Sequence, residues 1–233
     1  MRSLRVVAVC LASVSWAFAS NITFQGPFGP TDASVIGPHE YFDIQDATLT
    51  QPSMQGGDWT LTIHTNYGVA LPGGPPGNIV PDFRHFAAAD FLISWNGGFY
   101  GIVLHGHDGY AEGDLYQASG FQTAQQAIKS PTFPDVSPDV WLAPGGTLLG
   151  TGTLSAGLYG DGISQAAFSI TDHFQAPAGF LAGGAFTVQT ASADCGNGVL
   201  SGGGSFPPVP EPGTLWLLAP GLLLVYRRRR KLT

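Results

Sequence analysis

Residues 91–104 read Phe91-Leu92-Ile93-Ser94-Trp95-Asn96-Gly97-Gly98-Phe99-Tyr100-Gly101-Ile102-Val103-Leu104. Two runs rich in aromatic and β-branched residues meet at Asn96-Gly97-Gly98, which predicts a β-hairpin with a Gly-containing turn. The same signature recurs outward from this stretch. Trp59, Leu61 and Ile63 alternate with Thr60, Thr62 and His64, the period-two spacing of a half-buried strand. Further strands are predicted over 39–49, 114–119, 139–143, 166–171 and 185–190, each bounded by Gly, Pro, Asn or Asp. Only Gln122 to Lys129 has helical character. About nine short strands with hardly any helix point to an all-β fold, a single antiparallel β-sandwich or jelly roll, because two such sheets cover each other's apolar faces.

Composition agrees. The 233 residues include 33 Gly and 18 Pro, too many for a helix-rich chain, and 44% hydrophobic residues, enough for a core. No repeat of fixed period is present. The domain is placed at 20–201, and the Gly-, Ser- and Pro-rich stretch 202–208 reads as a flexible linker.

Charge separates sharply along the chain. Arg2, Arg5 and a terminal cluster, Arg227, Arg228, Arg229, Arg230 and Lys231, account for seven of the nine basic residues. Between 20 and 208 only Arg84 and Lys129 stand against 15 acidic residues, a net charge of about −13. Such a surface argues against a nucleic-acid partner, which needs clustered Lys and Arg.

Residues 1–19 carry the three parts of an export signal. Arg2 and Arg5 precede the apolar run from Val6 to Phe18, and Ala17-Phe18-Ala19 is a small-x-small cleavage site that predicts a cut between Ala19 and Ser20. Cys10 would leave with the leader, so Cys195 is the one cysteine of the mature chain and no internal disulfide is expected.

The C-terminal stretch 209–233 also has three parts: Pro210-Glu211-Pro212, an apolar run from Leu215 to Tyr226, and the basic cluster. This order resembles the PEP-CTERM sorting signal of Gram-negative bacteria. The resemblance implies recognition by an exosortase, a membrane cysteine transpeptidase, with Pro210, Glu211 and Pro212 as the recognition element. It implies cutting near that motif and delivery to the cell surface. The same kind of tail is also called an ice-binding protein C-terminal domain, a label for the tail and no indication of ice binding.

Charge supports the topology independently, because Arg and Lys after an apolar segment stay cytoplasmic. As a short hydrophobic helix, residues 214–226 would reach about 20 Å against a hydrocarbon core of about 30 Å. Pro220 and Gly221 weaken it further. Insertion is therefore expected to be transient, with the protein membrane-anchored before processing and extracellular after it.

Candidate chemistry concentrates in 105–114. His105 and His107 at i and i+2, with Asp108, Glu112 and Asp114, offer nitrogen and oxygen ligands for zinc, or oxygen ligands for calcium. The alternative is a loop whose Asp and Gly residues satisfy turn geometry. No Gly-x-Ser-x-Gly elbow and no HExxH motif is present, and the charged group Asp82, Arg84, His85 and Asp90 is ordinary for a loop. The aromatic residues Trp59, Trp95, Tyr100, Tyr110, Tyr116 and Trp141 are core candidates, some of which would serve as a sugar-stacking platform if exposed. The expectation is a non-enzymatic structural or adhesive protein of the exopolysaccharide layer or biofilm, with no cofactor required. The alternatives are a carbohydrate-binding module, calcium-assisted or not, and a secreted hydrolase.

Overall fold

The computed structural model describes residues 19–26, 28, 43–54, 56–66, 88–123, 126, 139–161, 164–191 and 198–208. The expected leader through residue 18, the Asp82, Arg84 and His85 group, Cys195, and the sorting tail with its expected helix lie outside the described residues.

The described residues form thirteen strands. One antiparallel sheet has five, ordered β1 (Ser20–Gln25), β2 (Ile44–Gln51), β3 (Trp59–Thr65), β11 (Phe168–Phe174) and β10 (Gly152–Leu158). The other has six, ordered β13 (Leu200–Ser205), β12 (Ala185–Thr190), β4 (Phe91–Trp95), β5 (Gly98–Ile102), β6 (Leu115–Ala118) and β9 (Thr147–Gly150). A small ladder pairs β7 (Phe121–Thr123) with β8 (Asp139–Leu142). The chain changes sheets at Thr151, the single residue between β9 and β10.

Alternation explains which faces meet. Leu49 on β2, Trp59, Leu61 and Ile63 on β3, and Ile170 and Phe174 on β11 share one core with Phe91 and Ile93 on β4, Ile102 on β5 and Phe186 and Val188 on β12. The six-stranded sheet is apolar on its other face too. Leu92 there joins Val103, Tyr110, Tyr116 and Leu142 in a second cluster, and β7 and β8 cover this side. That double burial is why Phe91-Leu92-Ile93 is a continuous apolar run and not an alternating one.

The β4–β5 hairpin forms as expected. Trp95 pairs with Gly98, leaving Asn96 and Gly97 as a two-residue loop with φ of 49° and 74°. Positive φ at both central positions is the primed turn that matches strand twist, and Asn-Gly accepts it at little steric cost.

Two expectations are corrected. Gln122 and Thr123 belong to β7 rather than to a helix, and most of the remaining expected helix lies outside the described residues. The stretch 202–208 is not a linker: through Ser205 it is β13, paired with β12 from Thr190↔Leu200 to Ala185↔Ser205. Glycine is required there by close packing. A Cβ on Gly202 would stand 2.5 Å from the Phe24 ring, and one on Gly204 would stand 2.8 Å from Ile22 Cδ1, both on β1 of the facing sheet.

This packing makes a direct prediction. Gly202→Ala is expected to destabilise the domain by about 1–3 kcal/mol through overpacking, while Ser201→Ala, whose side chain is exposed, costs about 0.5 kcal/mol or less. Urea unfolding measures both. Equal stability of Gly202→Ala and wild type would contradict the docked strand.

Candidate functional site

The loop from Val103 to Asp114 joins β5 to β6, and backbone bonds Val103 N–H to Asp114 O (3.1 Å) and Gly113 N–H to Val103 O (2.8 Å) close its base. At its tip Tyr110 N–H donates to His107 O (2.7 Å), with positive φ at Asp108 and Gly109. Asp108-Gly109 is thus the centre of a tight turn, a role for which this dipeptide is suited.

The turn aims His107 inward. Its Nε2 lies 2.9 Å from Asp90 Oδ2 and its Nδ1 3.3 Å from Asp108 Oδ2, while its ring packs on Trp141 at 4.3 Å and Tyr110 at 5.2 Å. Asp90 is fully buried, and the same Oδ2 accepts from Leu142 N–H at 2.8 Å. This carboxylate therefore ties β4, β8 and the loop together. Burial pushes the Asp90 carboxyl up, more than His107 and the Leu142 N–H pull it down. Burial lowers the His107 imidazole, but Asp90 and Asp108 outweigh it and hold it above the ordinary histidine value.

The other expected ligands turn elsewhere. His105 Nδ1 is 3.6 Å from Glu112 Oε1, and Gly106 N–H donates to that oxygen. Asp114 accepts from Gly152 N–H at 3.1 Å and from the Tyr116 hydroxyl at 3.3 Å. His105, His107, Asp108, Glu112 and Asp114 thus divide into separate contacts. Among the described residues no group of three or more His, Cys, Asp or Glu side chains is placed to hold a metal ion.

Two arrangements had no local signal. Asp172 on β11 points between the sheets, fully buried, with neither carboxylate oxygen hydrogen-bonded. Burial raises it to about 7, the charge of Asp114 adds to the rise, and the nearby N–H groups of Thr153 and His173 oppose it. The second is a surface stack in which Tyr159 lies on His64 at 3.8 Å, and His64 Nδ1 is 2.8 Å from Asp46 Oδ1. Strand pairing opposes Asp46 to His64, so sequence distance hides the contact.

The expected aromatic platform is mostly interior. Trp59, Trp95 and Tyr100 pack around Phe180, and Tyr110, Tyr116 and Trp141 are buried. A groove of about 400 Å³ instead opens on the outer face of the six-stranded sheet. Ser94, Thr187, Gln189 and Ser201 supply polar groups, and Phe121, edge-to-face with the exposed Phe99 at 5.1 Å, forms a wall.

At the domain's end Phe206 is buried against Trp59 (5.3 Å) and Phe186 (5.6 Å), and Pro207 O accepts from Gln51 Nε2 at 3.2 Å. The next residue opens a match to a known family model, the PEP-CTERM protein-sorting motif, over residues 208–231. The chain carries a PEP-CTERM sorting motif. No curated protein and no solved structure matches the chain. The PEP-CTERM motif implies export, processing by an exosortase, and a cell-surface or extracellular location afterwards. Pro210, Glu211, Pro212 and the basic cluster Arg227 to Lys231 fall inside the match. No helix among the described residues is long and apolar enough to cross a membrane.

The buried acids fix a pH dependence. Asp90, His107 and Asp172 all have folded pKa values above their ordinary ones, so the folded state binds more protons than the unfolded chain. Stability is fully present below the ordinary carboxylate range and is lost as pH rises through about 7 for Asp172, and through the raised His107 value for the pair. Thermal unfolding is expected at a higher temperature at pH 5.5 than at pH 8.5, and Asp172→Asn should reduce the difference. Stability that rises with pH over this window would contradict the assignment.

Proposed function

We propose that the protein is a non-enzymatic structural or adhesive component of the extracellular polysaccharide layer, exported through its leader and released to the surface when an exosortase processes its tail. The observation that carries this reading is the sorting motif directly adjoining a folded, strongly acidic β domain. Support comes also from the inward use of the chemistry-bearing groups: the Asp90–His107 pair joins three elements and is packed under Trp141. The reading needs no cofactor. Transient insertion of 214–226 in the inner membrane anchors the uncut form.

Intact-mass analysis of protein from its native host, with and without the exosortase, tests the reading. Loss of residues 1–19 and of the tail near Pro210 to Pro212 is expected, with the tail retained in the exosortase-deficient strain. A tail retained in both strains would make residues 215–231 an ordinary anchor and overturn the proposal.

A second reading, carbohydrate binding, draws on the groove, whose volume and mixture of hydroxyl, amide and aromatic groups suit a short glycan segment. On a glycan array run with and without a calcium chelator, the structural reading expects no selective binding. Selective binding abolished by Phe121→Ala would favour the second reading, and its loss on chelation would add calcium to it.

A further inference from the structure

Gln51, the last residue of β2, is 2% exposed and holds both ends of the domain. Ser20 Oγ donates to its Oε1 at 3.0 Å, and its Nε2 donates to Pro207 O at 3.2 Å. Ser20 is the first residue after the expected leader, and Pro207 is the last before the sorting motif. Both processed segments therefore leave the sandwich from one point.

The tether is short. Pro210 lies three positions beyond Pro207, a reach of about 11 Å at most, and Thr214 at the start of the apolar segment lies seven positions beyond it, about 25 Å at most. That is close to the length of a single seven-residue strand of this domain, about 23 Å.

The surface beside the tether carries less charge than the opposite end of the same sheet, where Asp46 and Asp161 reach solvent. Residues 52–54 and 56–58 of the β2–β3 turn and the loop 175–184 flank it, the latter bonded to the chain end through Gly183 N–H to Phe206 O and an Ala182↔Phe206 bridge. These sixteen residues contain one charge, Asp58, and Met54 is 58% exposed among them. An acidic face is repelled by an anionic bilayer, whereas a nearly neutral face with an exposed Met lies against one at little electrostatic cost.

We propose that the Gln51 end of the sandwich, formed by residues 52–54 and 56–58 and the loop 175–184, is a lipid-facing surface that rests on the outer side of the membrane while the tail is uncut. The inference rests on the membrane insertion of 214–226 described under the proposed function. The sorting motif is then presented between bilayer and domain, so its enzyme works beside the folded domain and not on a free tail.

The test uses the full chain with uncut tail, its leader processed in the expression host. It is reconstituted into vesicles of phosphatidylethanolamine and phosphatidylglycerol that carry a headgroup spin label. On a Cys195→Ser background, a fluorophore is placed at Met54→Cys or at Leu158→Cys, the latter 80% exposed at the opposite end of the same sheet. Quenching several-fold stronger at 54 than at 158 is expected, falling toward the 158 value when about twelve Gly and Ser residues are inserted between Pro208 and Val209. Equal quenching at both sites, stronger quenching at 158, or none at either in vesicle-bound protein would overturn the orientation alone. Failure of the chain to float with vesicles would overturn the insertion reading, and the orientation with it.

Discussion

Everything in this domain depends on burying the inner face of one antiparallel sheet against the inner face of the other. With a single cysteine expected in the mature chain there is no internal cross-link to assist, so the core between β3, β11, β4 and β12 bears the folding free energy. Trp59 shows how tightly the layers are joined. It stacks on Phe174 of its own sheet and meets Phe180 and Phe206 edge-on. The same residue thereby links the core to the point where the sorting tail begins.

Buried polar groups then fix details that apolar packing leaves open. Asp90 accepts from His107 and from the Leu142 backbone, which sets the loop 103–114 over the outer face of the six-stranded sheet. Gln51 does the comparable task at the chain ends. Asp172 is the costly exception: a carboxyl in the core without a hydrogen bond, tolerated because it holds its proton to about pH 7.

Much of the fold was legible in the sequence where a strand has one apolar face or a diagnostic turn. β3 and the β4–β5 hairpin are plain on that ground. β1, β10 and β13 are not, because their residues are mainly small, polar or glycine and their fit is decided by distant partners. In β13 the glycines read as slack, yet they are the space that Phe24 and Ile22 occupy. The candidate site divides the same way. The sorting motif is a linear signal and could be read directly, whereas His107 meets Asp90 across the β4–β5 hairpin, and Tyr159 meets His64 across β10, β11 and β3. The spacing of His105 and His107 pointed to a shared ligand set, but the Asp108-Gly109 turn sends the two rings to different carboxylates.

The folded sandwich extends through β13, paired with β12, to Phe206 and Pro207, which are held to the core, and so hands the chain directly to the sorting motif. Native-state amide hydrogen exchange reads this strand by strand. Amides of β13 paired with β12 are expected to be protected to the same degree as those of β12 itself, with exchange becoming fast only after Pro207. Exchange of residues 200–206 at free-chain rates, with β12 still protected, would contradict it.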